Sequence, residues 1–169
     1  MKHTTKILLL AGLVALSACA KDGRGGAGFG GKNAGALGGS AGSVSDPTSQ
    51  AYFQEAIGDR VLFEVDQSTL TDEAEAILMG QARWLLTNVD YSAIIEGHAD
   101  EQGTRAYNMA LGARRASTVM EFLVSQGVSP ARLKIITYGK ERPLSLCSEE
   151  SCYAQNRRVV TVLTAGGLS

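Results

Sequence analysis

Histidine is scarce in this chain, and the scarcity limits the chemistry that the chain can perform. The 169 residues include 2 histidines, His3 and His98, and His3 falls in a segment assigned below to a signal peptide. Metal centres need several His, Cys or carboxylate ligands at suitable spacing, and no second cluster of His or Cys ligands accompanies His98. No serine stands in a nucleophile elbow. An enzyme is therefore disfavoured, although His98 with Asp100 and Glu101 leaves acid–base or metal chemistry as an alternative.

The chain also lacks a basic excess. Its 16 Lys and Arg residues against 17 Asp and Glu residues give a formal net charge of −1. Cleavage of a signal peptide would remove Lys2 and Lys6 from the 16 basic residues and leave 14, for a balance of −3. Non-specific binding to nucleic acid depends on a basic surface that neutralises phosphates. The charge therefore argues against a general nucleic-acid-binding protein.

The N-terminal apolar run is too short for a membrane span. Residues 7–16 are apolar, whereas a transmembrane helix takes about 20 apolar residues. Lys2 and Lys6 precede the run, and the small residues Ser17 and Ala18 follow it. This order of basic, apolar and small residues is typical of a secretory signal peptide. We assign residues 1–18 to that signal and leave them out of the fold prediction.

Cysteine is also scarce, with 3 in the chain. Cys19 directly follows the predicted signal peptide, which leaves Cys147 and Cys152 as an even pair. In an oxidising compartment such a pair can close a small disulfide loop. Half of a metal site is the alternative, but the sequence has no matching second pair of ligands. We therefore predict a disulfide between Cys147 and Cys152, and no metal or other cofactor.

A segment rich in glycine, alanine and serine follows Cys19 and continues to about Asp46. Such a composition buries too little surface to offset the entropy lost on ordering. Residues 19–47 are therefore predicted to form a flexible tether. Its Gly-rich part has an expected root-mean-square span of roughly 25–30 Å.

From about Thr48 the sequence has the pattern of a folded domain, and the 44% hydrophobic content is enough for a packed core. Alternating, β-branched segments predict strands at 60–65, 91–96, 133–138 and 158–163. Helical spacing of apolar residues predicts helices at 71–88 and 104–126, with shorter ones near 49–57 and 152–156. The resulting order predicts an α/β (α+β) domain over residues 48–169, a mixed four-stranded sheet packed by helices.

The densest group of polar residues, at 96–104, lies between the second strand and the second long helix. Ligands tend to bind at the carboxyl ends of strands, and helix N-termini attract anions. Asn108 and Arg115 share one face of the following helix, so they can line one side of a groove. Arg115 nevertheless lies about 16 Å along the helix from Thr104. Spacing alone therefore does not bring Asp100 and Arg115 together.

The segment Leu16-Ser17-Ala18-Cys19 resembles the lipobox of bacterial lipoproteins. The resemblance implies cleavage just before Cys19 and lipidation of that cysteine. Ala20 stands where an Asp would resemble an inner-membrane retention signal, so the implied destination is the outer membrane. An ordinary signal peptide followed by an unrelated cysteine is the alternative.

Several sequence blocks between residues 58 and 164 resemble, in the right order, the OmpA-like C-terminal domain family. The blocks are Glu96-Gly97-His98-Ala99-Asp100-Glu101-Gln102-Gly103-Thr104, Tyr107-Asn108, Leu111-Gly112, Arg114-Arg115-Ala116, Tyr138-Gly139-Lys140-Glu141-Arg142-Pro143 and Asn156-Arg157-Arg158. The resemblance implies a mixed sheet packed by helices and non-covalent binding of the meso-diaminopimelate of peptidoglycan stem peptides. It also implies TolB and other Tol proteins as partners, in a system that keeps the outer membrane attached during division.

The same resemblance implies the residues of the binding site. The free end of diaminopimelate carries an ammonium, which a carboxylate can hold, and a carboxylate, which an arginine can hold bidentately. In the family these roles resemble Asp100 and Arg115, and Asp66, Asn108 and Arg158 are expected in the surrounding contacts. Without the resemblance, two other interpretations are open. Asp100 could be an acid that the helix dipole stabilises beside a helix start, and Arg115 could be part of a solvated charged face.

The chain departs from the family pattern at Gln102, where an Arg is usual, in its long tether and in its cysteine pair. None of these departures touches Asp100 or Arg115.

Two further hypotheses about the function stay open. A flagellar stator protein shares such a domain, but it would need an N-terminal span of about 20 residues. An adaptor lipoprotein that binds only periplasmic proteins is the other.

Overall fold

The computed structural model describes residues 42–166. The predicted signal peptide at 1–18, the predicted lipidation site Cys19 and the tether up to residue 41 lie outside the described residues. Hydrogen-bonded turns already begin at Ser43, where its carbonyl accepts from Asp46 N at 2.9 Å and from Ser49 Oγ at 2.7 Å. Defined structure therefore starts a few residues before position 48, where the sequence suggested that the domain begins.

Two long helices form where the threonine caps predicted them. Helix α2 covers Asp72–Thr87, and its N-cap Thr71 accepts a hydrogen bond from Ala74 N at 3.2 Å. Helix α3 covers Arg105–Ser125, and Thr104 caps it in the same way from Tyr107 N at 3.2 Å. Such side-chain caps satisfy amide groups that a helix leaves unpaired at its start. The shorter helical segments are α1 at Gln50–Tyr52, a π-helical turn at Phe53–Gly58, a 3₁₀ turn at Pro130–Arg132 and α4 at Glu150–Asn156.

The four strands form one mixed sheet, as the strand pattern predicted. They are β1 at Arg60–Leu62, β2 at Tyr91–His98, β3 at Leu133–Gly139 and β4 at Arg158–Ala165. Their spatial order is β1-β4-β2-β3, with β4 antiparallel to both of its neighbours and β2 parallel to β3. The predicted fold class, a mixed four-stranded sheet packed by helices, is confirmed.

Strand β1 is shorter than the predicted 60–65. Its last ladder residue is Leu62, and Phe63 N still donates to Arg157 O at 2.9 Å. The chain then leaves the sheet, and Asp66 adopts a φ of +56°, outside the β region. The residues after β1 are therefore released to build one side of the functional cleft.

The core lies between the sheet and the helices α2 and α3. Leu78, Leu85, Ile95 and Leu123 are fully buried in it. Trp84 is 5% exposed and donates from its indole nitrogen to Pro47 O at 2.7 Å, which ties the entry segment to α2. Among residues 42–166, no helix is long and apolar enough to cross a membrane.

Candidate functional site

An open cleft of about 220 Å³ lies where β2 ends and α3 begins. Three of the five predicted ligand residues line it, namely Asp66, Asp100 and Asn108. The other lining residues are Val65, Gln102, Gly103, Tyr107 and Leu111. The remaining two predicted residues, Arg115 and Arg158, lie outside its wall. The structure thus brings together residues that are far apart in sequence, from the loop after β1, the loop after β2 and helix α3.

Two glycines allow α3 to lie directly against the end of β2. A Cβ on Gly97 would be 1.9 Å from the carbonyl oxygen of Gly112, and a Cβ on Gly112 would be 2.5 Å from Thr137 Oγ1. Only glycine permits so close an approach of two backbones. The contact at Gly112 places Arg115, about one turn later, beside the carbonyl of His98. The chain after β2 therefore runs back along the helix, and this resolves the 16 Å separation that spacing alone predicts.

Asp100 is the most enclosed acid of the cleft, at 8% exposure. One carboxylate oxygen accepts from Gln102 N at 3.2 Å, and the other accepts from the guanidinium of Arg157 at 3.3 Å. A charge in so sheltered a position needs such partners to offset its lost hydration. Asp100 is thus more than an acid next to a helix start, because its charge is held in a fixed place in the wall of the cleft.

Asn108 shapes the loop that carries Asp100. It is 1% exposed, and its amide nitrogen donates to Asp100 O at 3.2 Å and to Gln102 O at 2.7 Å. On the other side of the same loop, the ammonium of Lys140 donates to Gly103 O at 2.7 Å. The loop is held from both sides, so its carboxylate is preorganised before any ligand arrives.

Asp66 is the exposed acid of the cleft and faces helix α3. Its carboxylate accepts a short hydrogen bond from the hydroxyl of Tyr107. This hydrogen bond raises the pKa of Tyr107 above its ordinary value, with burial and the charge of Asp66 acting in the same direction. Aspartate tolerates a positive φ better than most residues. Asp66 and Asp100 together make the mouth of the cleft negative.

Arg115 lies behind the cleft wall and is fully buried. Its guanidinium donates to three backbone carbonyls, to Gln67 O at 2.7 Å, to His98 O at 3.0 Å and to Glu64 O at 3.0 Å. Burial lowers its pKa to about 10, partly opposed by the charge of Asp100, so it stays protonated at neutral pH. Arg115 is neither on a solvated face nor open to the cleft; it joins the loops that form the cleft.

Arg158 was expected among the ligand contacts, and the structure places it elsewhere. Its guanidinium donates to Asn156 O at 3.4 Å and to Arg142 O at 3.2 Å. The neighbouring Arg157 faces Asp100 instead. Successive side chains of an extended segment point to opposite sides, so only one arginine of the pair can face the cleft. This alternation could have distinguished Arg157 from Arg158 in the sequence, but only if the first residue of the strand had been known.

Arg157 is therefore the arginine that pairs with Asp100 of the cleft, and the sequence did not single it out as a ligand residue. It is 4% exposed and also donates to Phe63 O at 3.1 Å and to the carboxylate of Glu150. Burial acts to lower its pKa, but the hydrogen bonds with Glu150 and Asp100 outweigh burial, and the pKa is raised. Two buried positive charges, Arg115 and Arg157, thus stand behind the two carboxylates of the cleft.

A larger and more apolar cavity, of about 310 Å³, lies between β1 and α2. Leu62, Ala74, Ile77 and Leu144 supply its apolar wall. None of the predicted ligand residues lines it, and its charged members, Arg60 and Glu73, are not part of the Asp100 network. The charged cleft, and not this cavity, therefore contains the acids that the sequence singled out.

Comparisons with known proteins match the OmpA family over residues 62–157. A peptidoglycan-associated lipoprotein of Mesorhizobium japonicum is 49% identical over 135 residues, covering 80% of this chain and 80% of the relative. One of Agrobacterium fabrum is 50% identical over 137 residues, covering 80% of this chain and 77% of the relative. The chain belongs to the OmpA family, in its group of peptidoglycan-associated lipoproteins. The resemblance read from the motif blocks is thereby confirmed.

Solved structures agree with this membership of the OmpA family. The crystal structure of the peptidoglycan-associated lipoprotein from Burkholderia pseudomallei has a TM-score of 0.64 at 34% identity, covering 72% of this chain and 98% of that one. The C-terminal domain of Helicobacter pylori MotB has a TM-score of 0.60 at 21% identity, covering 63% of this chain and 84% of that one. At that identity the likeness to MotB concerns the fold alone.

This member of the OmpA family carries a disulfide in the segment between β3 and β4. Cys147 and Cys152 are bonded, with their Cα atoms 5.8 Å apart. The bond joins the loop after β3 to helix α4, whose first residue is Glu150. Because Glu150 pairs with Arg157, the disulfide belongs to the same connected group of residues as Asp100.

His98, the residue behind the enzyme alternative, is 2% exposed. Within residues 42–166, neither of its ring nitrogens has a hydrogen-bond partner. Burial, with the charges of Arg158 and Arg142, lowers its pKa to about 4. Within the same range, no three His, Cys, Asp or Glu side chains are grouped so that they could hold a metal ion. His98 packs against Tyr138, with ring centroids 5.5 Å apart, and contributes packing rather than a ligand to the cleft.

Proposed function

We propose that this protein binds peptidoglycan without covalent attachment, through the meso-diaminopimelate of its stem peptides. The observation that carries the proposal is the cleft whose wall contains Asp66 and Asp100, with Arg115 and Arg157 buried behind them. The two acids suit the ammonium at the free end of diaminopimelate. The buried guanidinium of Arg115, whose hydrogen bonds go to the backbone carbonyls of Gln67, His98 and Glu64, contributes a positive potential behind the cleft, which suits the adjacent carboxylate.

The names of the relatives support the cellular setting of the proposal. We propose a lipoprotein anchored in the outer membrane through Cys19, with the domain in the periplasm and the tether spanning the distance between membrane and wall. Several acyl chains on one cysteine anchor firmly, since each buried CH₂ contributes about 0.8 kcal/mol. The proposed role is to link outer membrane and wall as part of the Tol-Pal system, with TolB as a partner, and to support envelope integrity and cell division.

The cleft residues favour a binding protein over an enzyme. Tyr107 and Arg157 orient the carboxylates of Asp66 and Asp100 and leave acceptor positions on both for the ammonium of a ligand. No imidazole of the described residues lines the cleft. We therefore propose that the chain holds the wall without cleaving it. Release of soluble muropeptides from purified sacculi on incubation with the full chain would contradict this.

The experiment that tests the proposal is a calorimetric titration of the full chain, purified in detergent, with a diaminopimelate-containing muropeptide. Asp100→Asn keeps the shape and the hydrogen bond from Gln102 but removes the charge, and we expect it to lower the affinity at least about tenfold. Asp90→Asn, on the exposed turn before β2, is the matched control and should leave the affinity unchanged. Equal affinities for wild type and Asp100→Asn would remove Asp100 from the proposed site.

Sedimentation with purified sacculi decides between this function and the adaptor alternative. Wild type that stays in the supernatant, although folded, would favour a lipoprotein that binds only periplasmic proteins.

We further propose that wall and TolB compete, since both would use the face at the end of β2. Addition of the muropeptide to a TolB pull-down should then reduce the recovered protein, and unchanged recovery would contradict competition.

A further inference from the structure

Arg157 is the point at which three parts of the fold meet. Its guanidinium bonds Phe63 O after β1, the Asp100 carboxylate after β2 and the Glu150 carboxylate at the start of α4. Asp100 and Glu150 therefore share a single positive charge. The side chain of Asp100 is 11% exposed and that of Glu150 is 65% exposed. The charge of the more exposed Glu150 therefore determines how strongly Arg157 neutralises the more buried Asp100.

The disulfide and the ion pair between Glu150 and Arg157 hold the first turn of helix α4. It has 7 residues, its N-cap Glu149 makes no side-chain capping bond, and Asn156 at its far end is its buried residue. A helix this short is unstable without tertiary support. Asn156 fastens the far end by accepting from Leu144 N at 2.7 Å. The bond from Cys152 to Cys147 fastens the near end, next to Glu150.

The charge balance of the cleft depends on this arrangement. With Glu150 paired to Arg157, the group formed by Asp100, Arg157 and Glu150 carries a net negative charge and attracts a cation. Without the charge of Glu150, Arg157 neutralises Asp100 and the attraction for an ammonium falls. The attraction for a ligand that lacks the ammonium does not fall, because no negative charge is needed for it.

We propose that Glu150, held in place by the Cys147–Cys152 disulfide, is a specificity-determining positioning residue of the cleft. It engages Arg157 and so keeps Asp100 available for a primary amine on the ligand. The inference rests on the proposed function and deepens it, because it names the chemical group that the cleft selects. It assigns the disulfide a role in ligand selection through the position of Glu150.

The test compares two ligands that differ at one group. The probes are a diaminopimelate-containing muropeptide with its distal amine free and the same muropeptide acetylated at that amine. The full chain, purified in detergent, is titrated with both. For Glu150→Gln we expect affinity for the free amine to fall about threefold to fivefold, the size of effect that a partly exposed charge pair usually has. Affinity for the acetylated probe should stay the same or rise.

Glu149→Gln is the matched control, since it removes the same charge from the adjacent, exposed residue and should change neither affinity. A purely structural role for Glu150 would lower both affinities together and would overturn the proposal. The preference for the free amine should also shrink at high salt, because the effect is electrostatic and partly exposed. Equal behaviour of Glu150→Gln and Glu149→Gln would overturn the proposal as well.

The disulfide is tested by Cys147→Ser with Cys152→Ser, which avoids a reductant. The double variant should lose the same preference for the free amine as Glu150→Gln, and adding Glu150→Gln to it should cause no further loss, because both act through one contact. Retained preference in a folded double variant would overturn the part assigned to the disulfide. If wild type binds neither probe, the proposed function and this inference both fail; if wild type binds but the variants match it, only the inference fails.

Discussion

Replacement of Arg115 by lysine keeps the positive charge but removes the planar group that bonds three backbone carbonyls. The guanidinium reaches Gln67 O at 2.7 Å and both His98 O and Glu64 O at 3.0 Å. One ammonium cannot occupy the positions of three separate nitrogens. We therefore expect Arg115→Lys to leave one or two of these carbonyls without a donor.

The expected cost follows from the burial of the site. A buried polar group that loses its partner costs about 1–3 kcal/mol, and Arg115 is fully buried. The substitution should therefore lower the free energy of unfolding by about 2–4 kcal/mol, a large part of the roughly 5–15 kcal/mol of a typical domain. The guanidinium also lies 5.2 Å from the ring centroid of Phe63, a contact that lysine would make less well.

The assay is urea unfolding without ligand, followed by the fluorescence of Trp84, the single tryptophan of the chain. Arg114→Lys is the control, because Arg114 is exposed on the same helix and should change stability by less than about 0.5 kcal/mol. If Arg115→Lys is also within about 0.5 kcal/mol of wild type, the three-carbonyl contact does not stabilise the fold. Any loss of ligand binding on changing Arg115 must be judged against this measurement.

Three further results are expected. His98 has a pKa of about 4 in the folded protein against 6.5 when unfolded, so the unfolded chain binds a proton first as the pH falls. The free energy of unfolding should therefore fall by up to about 3 kcal/mol between pH 6.5 and 4. His98→Phe should remove that part of the pH dependence, and identical pH profiles of variant and wild type would contradict the reasoning. Gly97→Ala places a Cβ 1.9 Å from a backbone carbonyl of the facing helix and should lower the melting temperature markedly. Gly80→Ala is the control, because the nearest contact of its Cβ is at 3.3 Å, and it should change the free energy of unfolding by no more than about 1 kcal/mol. Deletion of residues 1–48 removes the Pro47 carbonyl that Trp84 bonds at 2.7 Å. The free energy of unfolding of this variant should therefore be about 1–2 kcal/mol lower than that of a variant without residues 1–41. Equal stability of the two variants would show that the entry segment contributes nothing.

Much of the fold could be predicted from local signals. The threonine caps at Thr71 and Thr104 placed the starts of both long helices, because a hydroxyl cap followed by helical spacing is a local pattern. Alternation found all four strands, although β1 ends at Leu62 rather than at residue 65. The strand order could not be read from the pattern, since the pairing of β4 between β1 and β2 is a contact between distant segments.

The candidate site was only partly predictable, and the reason differs between its residues. Asp66, Asp100 and Asn108 line one cleft, but only the family resemblance connected them in the sequence. Arg115 was expected to reach the ligand, whereas it bonds backbone carbonyls that no sequence pattern marks. Arg157, and not the predicted Arg158, pairs with Asp100, because a shift of one residue at the start of an extended segment exchanges the two faces.

The position of β4 constrains when this domain can fold. It is the last strand in the described chain, yet it lies between β1 and β2 and pairs with both. Until residues 158–165 are available, β1 has no strand partner and β2 is left with β3 in a two-stranded ladder, which is too small to be stable alone. A chain without residues 158–165 therefore lacks the strand that joins β1 to β2, and only a chain that includes this strand can acquire the native state.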